Sequence, residues 1–210
     1  MGKLGKFIVI DGMDGSGKGT QLRLLQEKLV GKAGLFTREP GGAPRAEEIR
    51  QMILKTGGTA SNPVCDFFLF WAARGSHVQD VVAPALTAGT HVLCDRYDSS
   101  TYAFQIFGEQ SPDWLRAQFK QIRAGLPKEY LPSMYVVLDL PAEVAFGRRK
   151  KDQEQEKSKF DIKPLEYHKR VREGFKQFAV EFGSTKFVDA NRTPEQMHEE
   201  IWGIVEKELG

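Results

Sequence analysis

The residues best suited to chemistry form one stretch near the N-terminus: Gly12-Met13-Asp14-Gly15-Ser16-Gly17-Lys18-Gly19-Thr20-Gln21. Glycines at 12, 15, 17 and 19 let successive backbone N–H groups turn toward one centre, and Ser16 and Thr20 add hydroxyls. Such a concave row of donors, opening a helix near Lys18, suits a polyphosphate. Lys18 can follow charge moving between two phosphate groups, while Thr20 and the Gly19 amide serve the inner ones. Phosphate loops of this kind usually place a Ser or Thr after the lysine, where its hydroxyl meets Mg2+; here Gly19 stands there. The metal would then rest on phosphates and waters, with Asp95 acting through water, because Mg2+ readily keeps part of its hydration shell.

Three more clusters suit a second anionic, planar ligand. Thr37-Arg38-Glu39-Pro40-Gly41-Gly42 carries a cation and a carboxylate from a strand end into a turn. In Phe68-Leu69-Phe70-Trp71-Ala72-Ala73-Arg74, a helix would put Phe70 and Arg74 on one face, an aromatic plane beside a fork of donors. The same pattern also describes a core aromatic with a surface cation. Val92-Leu93-Cys94-Asp95-Arg96-Tyr97 ends an apolar strand in Asp-Arg, where the guanidinium can grip a phosphate and the carboxylate can orient metal-bound water, although a structural ion pair has the same residues.

Elements able to position these clusters alternate along the chain. Apolar runs Phe7 to Ile10, Leu35 to Thr37, His91 to Cys94, Tyr135 to Leu140 and Lys186 to Val188 are predicted strands. Helical periodicity covers Lys18 to Leu29, Ala46 to Leu54, Val64 to Leu86, Pro112 to Ile122, Ala142 to Lys151, Leu165 to Phe182 and Pro194 to Leu209. This predicts an α/β fold: a five-stranded, mainly parallel sheet with helices on both faces. Ser111-Pro112 and Thr193-Pro194 each offer a hydroxyl cap followed by a first-turn proline. At 210 residues one domain spanning 1–210 is expected. Its one compositional break, Arg148 to Lys159, suggests a lid at about 147–161 or a solvated helix extension.

A formal net charge of +2 argues against a global nucleic-acid-binding field, so basic sites must be local. No apolar run approaches the length that spans a membrane. Cys65 and Cys94 have no metal-site spacing and read as buried reduced thiols, which suits the cytoplasm.

The loop GMDGSGKGTQ resembles those of the P-loop nucleoside monophosphate kinase-like proteins. Together with TREPGG, the FLFWAAR helix, DRYDSSTYAFQ, YVVLDLPAEVA, the arginine-bearing lid and VDANRTPEQMHEEIW, it makes the chain resemble the thymidylate kinase (dTMP kinase) family from about Phe7 to Leu209. That resemblance implies phosphoryl transfer from ATP to dTMP with Mg2+, in a homodimer, with no nucleic-acid or membrane partner. It implies that Gly12, Gly15, Ser16, Gly17, Lys18, Gly19 and Thr20 hold ATP phosphates, and that the loop at Asn191 carries adenine. Asp14 would lie near the sugar 3′-hydroxyl, Phe70 stack on thymine and Arg74 read the base edge. Arg38 and Arg96 would clamp the acceptor phosphate, while Ser100, Phe104 and Gln105 line the base and deoxyribose pocket. Phe104 stands where many bacterial members carry tyrosine. In one branch of the family a basic residue follows the loop acid; here Gly15 does, so the resemblance assigns the transition-state cation to the lid, among Arg148, Arg149 and Lys150, with Arg149 and Arg148 favoured over Lys150. A deoxynucleoside kinase acting on a neutral 5′-hydroxyl, or a phosphate-loop binding module without an acceptor, are the alternatives.

Overall fold

The computed structural model describes residues 3–30, 34–54, 62–151, 159, 160 and 162–210, with the side chains of 149–151 outside that description. Five strands, β1 (Phe7–Gly12), β2 (Gly34–Arg38), β3 (His91–Asp95), β4 (Met134–Asp139) and β5 (Thr185–Asp189), form one sheet in the order β2-β3-β1-β4-β5. All four pairings are parallel, so the sheet is more uniform than expected. Every residue of β1 is buried, as a central strand covered on both faces requires. Its side chains alternate between two cores: Ile8 and Ile10 enter one, Phe7 and Val9 the other.

The helices are α1 (Lys18–Lys28), α2 (Pro44–Leu54), α3 (Pro63–His77), α4 (Ala83–Thr87), α5 (Asp98–Thr101), α6 (Asp113–Gly125), α7 (Ala142–Lys151), α8 (Leu165–Phe182) and α9 (Pro194–Leu209). The single helix expected from Val64 to Leu86 is α3 and α4 joined by a π-helical turn, Val78–Val82. A second π-helical segment, Tyr102–Gly108, continues α5. α8 packs closely on it, because a side chain on Gly174 would come within 2.7 Å of the Ala103 backbone. No helix among the described residues is long and apolar enough to cross a membrane.

Helix starts divide. Thr193 forms the full capping box with Gln196. Ser111 does not cap α6: Pro112 takes the cap position, and the Ser111 hydroxyl donates instead to the Gln105 carbonyl at 2.7 Å. Of the two thiols, Cys94 is buried, but Cys65 is exposed, since the first turn of α3 presents it outward.

The chain proceeds from β1 outward to β2 and β3 on one side, then to β4 and β5 on the other. The carboxyl ends at this reversal are where such sheets receive ligands. Gly12, Arg38 and Asp95 end three neighbouring strands there.

Candidate active site

The loop between β1 and α1 is shaped by glycines in the left-handed region: Gly15 at φ 81° and Gly17, the cap of α1, at φ 92°. It wraps Lys18, which is buried with its ammonium donating to the carbonyls of Gly12 at 3.0 Å and Met13 at 2.9 Å. Burial, then the nearby Arg96, pushes the Lys18 pKa down, while Asp14, Asp95 and Asp11 pull it up. Nothing lies within 4 Å of where a side chain on Gly19 would begin. The missing hydroxyl is therefore not imposed by packing.

Arg96 follows β3 in a left-handed conformation, φ 67°, and its side chain turns toward the loop. Nη1 donates to Ser100 Oγ at 2.9 Å, Gly12 O at 3.0 Å and Asp11 Oδ1 at 3.3 Å, and Nη2 to Asp14 Oδ1 at 2.7 Å. The guanidinium also sits 5.0 Å from the Phe104 ring centre. Burial alone would lower its pKa, but Asp14, Asp11 and Asp95 together hold it above the usual range.

Asp11, which the sequence reading did not single out, organises this corner. Its carboxylate is fully buried and accepts from Ser99 Oγ at 2.6 Å, Ser100 Oγ at 2.8 Å and the Gly12 amide at 2.8 Å. Burial pushes its pKa up against the pull of Arg96, Ser99, Lys18 and Ser100. Its only sequence signal is an acid inside an otherwise apolar strand, immediately before a glycine loop.

A cavity of about 860 Å³ opens over these groups. Of the residues expected in the site, Asp14, Gly15, Gly17, Lys18, Gly19, Thr20, Arg38, Phe70, Asp95, Arg96, Ser100, Phe104, Gln105 and Arg148 line it. Arg23, Glu39, Pro40, Arg50, Leu54 and Phe160 complete the wall; of these, Glu39 and Pro40 belong to the Thr37–Gly42 cluster and Phe160 falls within the segment expected as a lid. Arg50 could have been suspected from α2 following the Pro-Gly turn; its Nη1 donates to Pro40 O at 2.6 Å. Arg38 is over half exposed and pairs with Glu47 at 2.8 Å.

Four expected residues stand outside the wall. Gly12 contributes through its carbonyl, which accepts from both Lys18 and Arg96. The Ser16 hydroxyl is buried behind the loop without a partner. Asn191 is exposed, its amide donating to Asp189 Oδ1, while the neighbouring Ala190 carbonyl accepts from Arg148 Nη1 at 3.3 Å. Arg74 is placed behind the cavity and is only 2% exposed, because buried Glu39 claims it: Nε donates to Glu39 Oε2 at 2.9 Å and Nη2 to Thr101 Oγ1 at 3.0 Å. Its guanidinium lies over Trp71 and Tyr97, with Nη1 unpartnered. His77 bridges Glu39 and Thr37 at 2.9 and 2.8 Å, tying α3 to the end of β2. The Arg149 side chain and most of the 147–161 segment lie outside the described residues.

A metal ion carried by phosphates fits what is present. Asp95 Oδ1 is buried beside the loop without a hydrogen-bond partner. Among the described residues no group of three or more His, Cys, Asp or Glu side chains forms a dedicated cage. One unengaged carboxylate oxygen suits a water-mediated contact to a largely hydrated cation.

A parallel sheet with a glycine loop at its reversal point, a buried lysine and a basic, aromatic-lined cavity beside it defines a phosphate-loop protein of the nucleotide kinase type. The chain belongs to the thymidylate kinase family, whose model matches residues 10–201. It is similar to the thymidylate kinase of Chlamydia caviae, 37% identical over 191 residues and covering 90% of both chains. That of Rhodopseudomonas palustris strain BisB18 is 38% identical over 213 residues, 98% of this chain and 90% of the relative. The crystal structure of thymidylate kinase from Ehrlichia chaffeensis aligns with a TM-score of 0.72 at 26% identity, covering 96% of this chain and 98% of that one.

Proposed function

We propose that the protein transfers the terminal phosphoryl group of ATP to dTMP, giving dTDP and ADP. The supporting observation is that one cavity presents Lys18 of the phosphate loop and Arg96 at the end of β3 together with the Phe70 and Phe104 rings. Two anions can thus be brought end to end while a flat base lies on an apolar surface. The acceptor phosphate oxygen is already anionic, so no side chain need remove a proton; alignment and charge neutralisation carry the rate. Lys18 and the lid arginines, Arg148 and Arg149, act on the transferring group, while Arg96 and Arg38 hold the acceptor. Asp14 approaches the sugar, and Ser100, Phe104 and Gln105 bound the deoxyribose and base. Arg74 supports the base pocket from behind through its unpartnered Nη1. Mg2+ bound with ATP would supply further neutralisation of phosphate charge, with Asp95 as the residue that orients its waters.

Family resemblance supports a cytoplasmic homodimer built of one domain per chain, with 147–161 as its lid. Phe68 of α3, 46% exposed beside fully buried Phe67, offers an apolar face to a second copy. The test is an ADP-release assay with dTMP, dUMP, dCMP, AMP and thymidine as acceptors. Preference for dTMP is expected. Faster turnover of thymidine would instead assign a nucleoside kinase, and nucleotide binding without transfer to any acceptor would leave a binding module.

A further inference from the structure

Lys159, which ends the charged stretch, and the next residue, Phe160, engage two residues of α3 lying one turn apart. Lys159 Nζ donates to both carboxylate oxygens of Asp66, at 2.7 Å each. The Phe160 ring meets the Phe70 ring with centroids 6.2 Å apart and planes inclined by 47°. Asp66 and Phe70 are four residues apart on one helix and so share a face, which lets adjacent Lys159 and Phe160 reach both at once. Neither contact is superficial, since Asp66 is 5% and Phe160 7% exposed. A carboxylate this buried is tolerated only while compensated, and the two-oxygen contact from Lys159 to Asp66 helps fix where the next residue stands. The Lys159 ammonium also lies 5.3 Å from the Phe160 ring, reinforcing the arrangement. Phe160 and Phe70 both line the cavity that holds Lys18 and Arg96.

The geometry points to Phe160 as a second aromatic wall of the acceptor pocket, forming with Phe70 a wedge for a single-ring base, and to the Lys159–Asp66 pair as the element that positions it. The wedge contacts the base and not the phosphates, so it acts on acceptor affinity and leaves the donor untouched. This rests on the reading of the cavity as the dTMP site. Lys159 and Asp66 are positioning residues; Phe160 alone touches the acceptor.

The experiment measures dTDP formation by the full chain while dTMP and ATP are varied separately. Phe160→Ala should raise the KM for dTMP roughly tenfold, the value of one lost aromatic contact, with the KM for ATP changing by less than about twofold. Lys159→Gln should shift the same constant in the same direction. Asp66→Asn combined with Lys159→Gln should be no worse than the worse single change, because both remove one interaction. Phe160→Leu, which keeps most of the buried volume, guards against misfolding and should still raise the KM for dTMP. Equal shifts in both constants, strictly additive effects of Asp66 and Lys159, or an unchanged KM for dTMP in both Phe160 variants would each overturn the inference. A wild-type chain that forms no dTDP would sink the functional reading instead.

Discussion

Lys18 and Arg96 enter the same cavity, yet their surroundings compensate them differently. The ammonium of Lys18 rests on two neutral carbonyls, with Asp14 at the margin of pairing at 3.9 Å. Arg96 meets two carboxylates, a hydroxyl and a carbonyl. Carbonyl oxygens only partly offset the loss of hydration, which is why burial pulls the Lys18 pKa down. On the proposed assignment, a donor phosphate at Lys18 would replace weak partners with strong ones. An acceptor phosphate on Arg96, as proposed, would by contrast have to share it with Asp14. The surroundings of Lys18 hold few anions in direct contact, whereas those of Arg96 already contain the carboxylates that shape them.

That contrast predicts different failures. Arg96→Met should lower dTDP turnover on the order of 10²-fold and also destabilise the protein by about 3 kcal/mol, because Asp11 loses its cation while remaining buried. Denaturant unfolding checks the second effect, and wild-type stability in this variant would break the contrast. Lys18→Ala should cost at least about 10²-fold in kcat with a far smaller effect on unfolding, since no buried carboxylate depends on it alone. Near-normal turnover there would remove the loop from the mechanism.

Asp11→Asn sharpens the comparison through pH. The folded protein holds the Asp11 proton above the ordinary value of 3.8, so the folded state binds more protons than the unfolded state over that window. Stability is therefore lost as pH rises from 3.8 through the folded value, and asparagine, which cannot ionise, lacks this loss. Unfolding free energies measured across the acidic range should fall less steeply with rising pH in the variant; parallel curves would mean that Arg96 and the two serines fully offset burial. The smallest effect belongs to Arg38→Ala. Its pair with Glu47 is exposed, so stability should change by less than about 1 kcal/mol while the KM for dTMP rises.

The parts of the molecule that repeat locally were readable from sequence. All five strands and the loop between β1 and α1 follow from short-range patterns, and so does the Thr193 cap. The helical run from Asp98 to Gly108 escaped because Asp98 through Ile106 are all buried, leaving no polar stripe to reveal a period, and its π-helical part departs from 3.6 residues per turn. The position of Arg74 depends on Glu39, thirty-five residues earlier, which no window along the chain connects. Phe160 follows a charged stretch that gives no hint of an aromatic wall. Cys65 shows the converse: a hydrophobic context suggested burial, and one helical turn pointed it outward.

The close fit around Gly15 bears on where the proposed transition-state cation can stand. A side chain there would begin 2.8 Å from the Ala145 carbonyl and 3.5 Å from Arg148 Cβ, at a φ that disfavours any other residue. The loop and α7 thus compete for one space: a basic residue cannot be added at position 15 while the helix that bears Arg148 occupies its present seat. If Arg148 supplies the transition-state cation as proposed, moving that charge into the loop would require matched replacements on both elements.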